Sequence, residues 1–497
     1  MDAQGEEQVD DVVDVVVVGG GNAGFSAASA AAGRGRRVLL LEKGRAEEAG
    51  GNTYYTAGAF RTVHDGLDDV ADLLDDDERL PVTDLPPYPA QAFSEDMAKV
   101  TSGRNDPVLT AALVEDSQDV LRWLHGLGLR FRLMYERQAY LDEATGRYVF
   151  WGGLAIGSTG GGKGLVAQHA AAAEAGGVEV RYGVRGRDLV VEDGRVRGVR
   201  WADDAGRTGV VRAGSVVLAA GGFEADPAMR REHLGRGWEL AKVRGTPLNT
   251  GDMLRAALAV GAAPHGDWGS CHSVAWDARH PHNESNRELT NRLTRGGYPL
   301  GVVVNRLGRR FLDEGADYRN YTYAKYGARI LEQPGGLAFQ LFDASTRRRL
   351  RAEEYDVPGA SVVVADTLEE LAEGMGVDAA ALRATVEEFN AGVDRDVPFD
   401  PSVKDGRASR VQPPKSNWAL PLETAPFYAF PVTCGITFTF GGLRADADAR
   451  VLDRDGHPVP GLFVCGEMLG GLFSGNYPGG TGLTSGAVFG RRAGRAA

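Results

Sequence analysis

A run of valines ending at Val18 leads straight into Gly19-Gly-Gly21-Asn-Ala-Gly24, then an alanine-rich stretch, then Arg37-Val-Leu-Leu-Leu-Glu42, an apolar segment that closes on an acid. No other feature constrains the fold as tightly. A strand, a tight glycine turn, a helix and a second strand make one β-α-β unit, with the acid at the end of its second strand. In such a unit Gly19 permits the sharp turn, Gly21 lets the backbone approach a pyrophosphate, and Gly24 lets helix and strand pack closely. Asn22 and Ala23 open the helix, whose unpaired N–H groups face the phosphates. Glu42, followed by Lys43, is placed to accept hydrogen bonds from ribose hydroxyls. With 69 glycines in the chain, the spacing alone arises by chance, so the flanking strand, helix and acid carry the reading. The fingerprint leaves FAD and NAD both open.

The remaining pattern places other elements around this unit. Residues 107–128 read as a helix with Pro107 near its start, and residues 65–105 as surface excursions with short helices. Strands are expected from Val178, Asp188 and Val196, with a turn at Asp193-Gly194, followed by a buried strand from Ser215 into Gly221-Gly-Phe223. Residues 270–435 mix strands (300–305, 338–342), a helix pair over 367–390 and loops rich in Pro, Asp and Arg. The end returns to strand (462–465), glycine turn and helix (483–493). The fold class is therefore α/β with an α+β cap. A Rossmann-like dinucleotide domain is expected from both chain ends, 1–267 and 438–497, with a cap or substrate domain inserted at 268–437.

Composition narrows the function. A formal net charge of -13 with scattered basic residues argues against a nucleic-acid backbone or an anionic membrane surface as partner. Cys271, Cys434 and Cys465 lie too far apart for a Cys-x-x-Cys metal or iron–sulfur site. The acidic start lacks the order of a secretory signal, and the apolar runs are strand-length, so a cytoplasmic location without an integral membrane segment is expected.

Four further segments select the cofactor: Gly50-Gly51-Asn52-Thr53, Thr56-Ala-Gly58-Ala59, Gly466-Glu467 and Gly479-Gly480-Thr-Gly482-Leu483. They resemble the fumarate reductase and succinate dehydrogenase flavoprotein superfamily over nearly the whole chain. The resemblance implies FAD, with these loops wrapped around the isoalloxazine ring and ribityl chain. It implies that Thr53 lies near flavin N5, that Glu467 binds ribityl hydroxyls, and that the helix beginning near Thr481, with Thr484 in its first turn, aims its dipole at N1 and O2. Val184, Ala220, Gly221 and Asp252 join the same set. Asn52 stands where relatives with covalent flavin carry histidine, so FAD is expected to be non-covalent.

On the substrate side, Gly269–Asp277, Arg309–Tyr323, Thr433–Gly442 and Asn476–Ser485 look like the tricarballylate dehydrogenase branch and its relative, the flavoprotein precorrin-3B synthase. By this resemblance Arg319 is the proton-delivering arginine, at a spacing from Glu314 one residue longer than the family's. Asp313, Glu314 and Arg295 are candidate relay members, and Tyr318, Tyr321 and Tyr323 rival acid–base groups. Phe438 and Tyr477 replace the dicarboxylate-binding histidine and arginine of fumarate reductases. Tyr477-Pro-Gly-Gly also resembles the 3-ketosteroid dehydrogenase turn, in which a tyrosine and a glycine N–H polarise a ketone oxygen. His272 is a candidate for substrate polar groups. The expected activity is hydride transfer between flavin N5 and a carbon α,β to a carboxylate or ketone, with tricarballylate-like acids favoured and an unidentified electron acceptor or donor. A flavin-dependent oxygenase or oxidase step in tetrapyrrole or natural-product biosynthesis, and a non-catalytic flavoprotein subunit, are the alternatives.

Overall fold

The computed structural model describes residues 9–281 and 286–497. They form two compact units: the described residues up to 234, 245–271 and 438–497 in the first, and 235–244 with the described residues from 272 to 437 in the second. The unit boundaries at 271/272 and 437/438 fall inside two long strands, Pro264–Asp277 and Phe427–Leu443. Two pieces fall on the other side from the sequence expectation: 268–271 lie in the first unit, and 235–244 in the second, where Lys242–Val243 pairs in parallel with Gly435 and Ile436.

The first unit is built on a sheet in the order Val184–Glu192, Arg195–Asp203, Thr208–Leu218, Val9–Val18, Val38–Glu42, Glu179–Tyr182. Its core is parallel. Val15 pairs with Val38 on one side and Ser215 on the other, and the far end of Thr208–Leu218 also takes up Pro458–Val464 through Val216 opposite Leu462. Strands buried on both faces need apolar side chains at every position, which is why the runs 15–18 and 38–41 are unbroken by polar residues. Asp193 and Gly194, at φ 48° and 71°, close the hairpin between the two antiparallel strands as a two-residue turn.

What joins the two chain ends is a stripe of glycines. On the helix Thr481–Ala496, Gly486, Gly490 and Gly494 recur every fourth residue and face the helix Asn22–Ala32. A Cβ on Gly490 would lie 2.5 Å from the Ala23 carbonyl oxygen, and one on Gly494 would lie 2.1 Å from that of Ala27. Any larger residue would push the helices apart.

The second unit holds a sheet in the order Lys242–Val243, Phe427–Leu443, Ala338–Phe342, Val302–Asn305. The helices Leu368–Met375 and Ala379–Gly392 cover it, packing Leu371, Leu382, Val386 and Phe389 against Val302, Val304, Phe339 and Leu341. Among the described residues, no helix is long and apolar enough to cross a membrane.

Candidate functional site

Three clusters of candidate residues form within the first unit. At the glycine turn, Gly19 has φ 109°, and a Cβ there would lie 2.2 Å from the Ala219 carbonyl oxygen; a Cβ on Gly24 would lie 1.8 Å from that of Gly19. Alanine does not fit at either position. Around Gly21 the nearest atom to a Cβ is Thr53 Oγ1, 3.4 Å away, so this part of the turn is open. The buried Glu42 accepts the Gly20 amide at 2.6 Å on one oxygen and the Gly44 amide at 2.7 Å on the other. Its carboxylate is thereby oriented as an acceptor, the chemistry a ribose diol requires. Lys43 donates to Asp252 at 3.0 Å and to the Leu248 carbonyl at 2.9 Å, and the Gly183 amide donates to the Gly44 carbonyl at 2.8 Å, bringing Val184 to the same edge.

Asn22 ties this turn to the rest of the unit. Its amide donates to Thr53 Oγ1 at 3.0 Å, its Nδ2 donates to the Leu483 carbonyl at 2.8 Å, and its Oδ1 faces His169 Nε2 at 3.0 Å. Burial pushes His169 down to about 3, so the ring is neutral and Nε2–H is the donor. Thr53, expected near flavin N5, is thus tied to the glycine turn through its hydroxyl. A Cβ on Gly58 would lie 2.8 Å from the backbone of Gly161, and the neighbouring Ala59 pairs with Gly157. Gly51, at φ 52°, has nothing within 4 Å of a Cβ.

The second cluster is a pair of buried acids. Glu224 accepts Asn52 Nδ2 at 2.7 Å and Asn249 Nδ2 at 2.6 Å, while Glu467 accepts the Thr439 amide at 2.7 Å and the Thr439 hydroxyl at 3.1 Å. Burial, and then the facing Glu467, push Glu224 well above the usual carboxylate range; burial raises Glu467 too. Two like charges this close and this dry do not both ionise, so the pair holds a proton. Asn52 also accepts the Thr246 amide at 3.0 Å, so both ends of its amide are engaged. Gly221 and Gly222 complete the cluster: a Cβ on Gly222 would lie 2.1 Å from Glu467 Oε1. Ala220 donates its amide to Met468 Sδ at 3.2 Å, and Gly466, at φ 68°, packs on Ala23.

The third cluster is the turn before the last helix. Tyr477 is buried in an aromatic shell, its ring centroid 5.1 Å from Phe438 and 5.5 Å from Phe473, both edge-on. Asp267 anchors the preceding residues, accepting the Ser474 hydroxyl at 2.6 Å and the Gly475 amide at 3.1 Å. Gly482 has only Tyr477 within 4 Å of a Cβ, whereas the Thr484 hydroxyl is bound between the Arg61 amide and carbonyl. The first two clusters fit FAD: backbone amides at a turn that Cβ atoms at Gly19 and Gly24 would fill, a carboxylate oriented for ribose, and buried acid and amide groups suited to a polyol.

In the second unit Arg319 donates through Nη2 to Glu354 at 2.7 Å, and Glu354 also accepts the Gly296 amide at 3.2 Å. Burial alone would lower Arg319, but the Glu354 carboxylate outweighs it and holds the guanidinium charged. Arg319 Nε is buried without a hydrogen-bond partner among the described residues. Arg351 Nη1 lies 3.8 Å from the same carboxylate. Glu314 is not in this group, contrary to the sequence expectation: it is fully buried and accepts Arg310 Nη2 at 2.5 Å and the Val303 amide at 2.8 Å, which makes it a fold ion pair. Asp313 likewise accepts the Ser416 and Gly315 amides. Arg295 pairs with Asp277 at 2.7 Å, both fully buried, and donates to the Glu354 backbone carbonyl. Tyr318 donates to the Ser402 carbonyl at 3.1 Å. His272 is buried against the Tyr323 ring, 5.0 Å between centroids, and is pushed well down by burial and then by Arg244, so it is neutral.

Comparison with known proteins follows the same lines. The family described as FAD binding domain matches residues 14–483. The chain belongs to that family. Within it, the chain is 35% identical to a 4-oxocyclohexanecarboxylate 2-dehydrogenase of Sinomonas cyclohexanicum over 64% of its own length and 57% of that protein's. The first curated relatives are matched over only 30–63% of their own lengths. The open conformation of a flavocytochrome c3 fumarate reductase superposes with TM-score 0.73 at 27% identity, covering 98% of this chain and 78% of that one. A 3-ketosteroid Δ1-dehydrogenase from Sterolibacterium denitrificans shares the fold at TM-score 0.75 and 22% identity, over 98% of this chain and 99% of the other.

For a member of the FAD binding domain family, the sequence marks the glycine turn, Glu42 and Glu467, but not the side chains Glu224, Asn249, Thr439, Asp267 and Glu354 that pack into these clusters. Glu224 left one signal, an acid directly after the Gly-Gly-Phe turn. The others lie far in sequence from the groups they hold and left none.

Proposed function

We propose that this chain is an FAD-dependent oxidoreductase acting on the carbon–carbon bond α,β to the carbonyl of an alicyclic ketone or keto acid. The observation that carries this reading is Tyr477, a phenol set in an apolar shell of Phe438 and Phe473 on an anchored loop. Such a shell presents aromatic and apolar surface, which suits a ring better than the three carboxylates of a tricarballylate-like acid. The name of the Sinomonas relative points to the same substrate class.

FAD, held non-covalently by the glycine turn, Glu42 and Glu467, supplies a hydride acceptor or donor. The Tyr477 hydroxyl donates to the carbonyl oxygen and stabilises the charge it gains as the α-proton leaves. Arg319, kept charged by Glu354, is the proposed proton donor in the reducing direction, since a guanidinium offers protons and accepts none. An electron acceptor or donor outside the chain completes the cycle.

Purified protein should be yellow, release intact FAD on acid denaturation, and bleach anaerobically with 4-oxocyclohexanecarboxylate but not with succinate. Bleaching by succinate and indifference to cyclic ketones would overturn the reading. Substrate-coupled oxygen incorporation would favour the oxygenase alternative, and indifference to every acid and ketone a non-catalytic flavoprotein.

A further inference from the structure

Arg61 is among the largest side chains fully enclosed in the first unit, and no part of the reading above uses it. Its Nη1 donates to Asp96 at 2.7 Å and to the Tyr88 hydroxyl at 2.7 Å, and Tyr88 in turn donates to the same Asp96 oxygen at 2.7 Å. That triangle balances the charge and fixes the plane of the guanidinium. The remaining edge, Nε, donates to the carbonyl oxygen of Gly479 at 3.0 Å. The residue's own backbone is fastened to the last helix as well, through the Thr484 hydroxyl at 3.1 Å from its amide and 2.8 Å from its carbonyl.

The contact with Gly479 has a consequence one atom further on. In a trans peptide the carbonyl and the following N–H lie in one plane and point in opposite directions. Holding the Gly479 oxygen on a buried cation therefore fixes the direction of the Gly480 N–H. It also draws electron density towards the oxygen, and a charge-assisted bond on one side of a peptide makes the other side a stronger donor. The Gly480 N–H donates to no protein group among the described residues. Behind Gly480 there is no freedom: φ is 83°, and a Cβ would lie 2.1 Å from Leu154 Cδ1 and 3.0 Å from the Arg61 amide nitrogen. An aimed, polarised and unoccupied donor thus sits three residues after Tyr477.

We propose that Arg61 is a positioning residue that acts through the Gly479–Gly480 peptide to aim the Gly480 N–H at a carbonyl-type oxygen that gains negative charge during the reaction. Two sources offer that chemistry: the substrate carbonyl, and the pyrimidine edge of the flavin. The inference rests on the reading of Tyr477 given above, but its test does not depend on turnover.

The test uses the holoprotein carrying Arg61→Gln together with Asp96→Asn, which removes both charges at once, and Arg61→Lys, which keeps the charge beside Asp96 but withdraws the Nε–H. Wild type and variants are compared for FAD affinity, flavin midpoint potential, and binding of 4-hydroxybenzoate, whose phenol oxygen stands in for an enolate, followed by its charge-transfer band. FAD affinity should stay within about twofold, since Arg61 grips no part of the first two clusters. If the donor faces the flavin, the midpoint potential falls and 4-hydroxybenzoate binding holds. If it faces the substrate, 4-hydroxybenzoate binding weakens by roughly tenfold to a hundredfold, less than the loss of rate that one oxyanion donor costs in catalysis, and the potential holds. With a turned-over substrate in hand, kcat falls while KM changes little. Either pattern supports the proposal, and does so even if the substrate class above is wrong. Unchanged potential and unchanged 4-hydroxybenzoate binding overturn it. Failure of both variants to fold assigns Arg61 to stability alone and overturns it equally.

Discussion

The glycine cradle of the first unit and the Arg319–Glu354 group of the second solve different problems with different materials. The cradle is made largely of backbone: amides of Gly20 and Gly44 on Glu42, and glycines whose Cβ atoms would collide at 1.8–2.2 Å with carbonyl oxygens. The Arg319 group is made of side chains that meet across 35 residues and owe their state to charge and burial. Backbone constraint tolerates almost no substitution at a few glycines but little depends on the residues between them. An ion pair on a buried carboxylate depends on the side chains that meet there, since removing the cation leaves Glu354 charged and enclosed.

That contrast orders the expected effects. Gly24→Ala should be the most damaging, because the clash with the Gly19 carbonyl displaces the turn itself: FAD affinity should drop at least a hundredfold, ~3 kcal/mol, by equilibrium dialysis. Retention of FAD by that variant would break the backbone half of the comparison. Arg319→Ala should lower turnover by roughly a thousandfold with FAD still bound, and Glu354→Ala should cost about 3 kcal/mol in unfolding free energy by leaving the guanidinium unpaired. Glu314→Gln sharpens the point: it should lower the melting temperature and leave turnover near wild type, since Glu314 serves Arg310. Tyr477→Phe should reduce kcat about a hundredfold, the scale of one lost oxyanion donor, with no change in FAD content. The smallest effect is a pH dependence. Glu224 is held above its ordinary value, so its share of stability is full in acid and is lost as pH climbs from about 4.5 through the raised value. Glu224→Gln, neutral at all pH, should flatten the fall of melting temperature with pH relative to wild type; parallel curves would show that the acid pair holds no proton.

What could be read from the sequence follows the same division. The β-α-β unit was legible because strand period, glycine spacing and a terminal acid are all local, and both ends of the nucleotide unit carry such local marks. Arg319 was legible only through its family segment, and its partner was misjudged. Glu314 lies five residues away and looked the natural choice, yet the buried strand Val302–Asn305 claims it through Val303, while Glu354 arrives from a short helix with no sequence mark. The bond from the Asn22 amide to the Thr53 hydroxyl left no mark either, because its two ends lie 31 residues apart.

The every-fourth glycine stripe at 486, 490 and 494 carries a consequence for biosynthesis. The surface that receives it, on Ala23 and Ala27, emerges from the ribosome more than 450 residues earlier. Until the later helix is made, that first helix must wait with an apolar flank uncovered, so the nucleotide unit assembles late, and chaperone engagement of the nascent chain should persist until the stripe has docked.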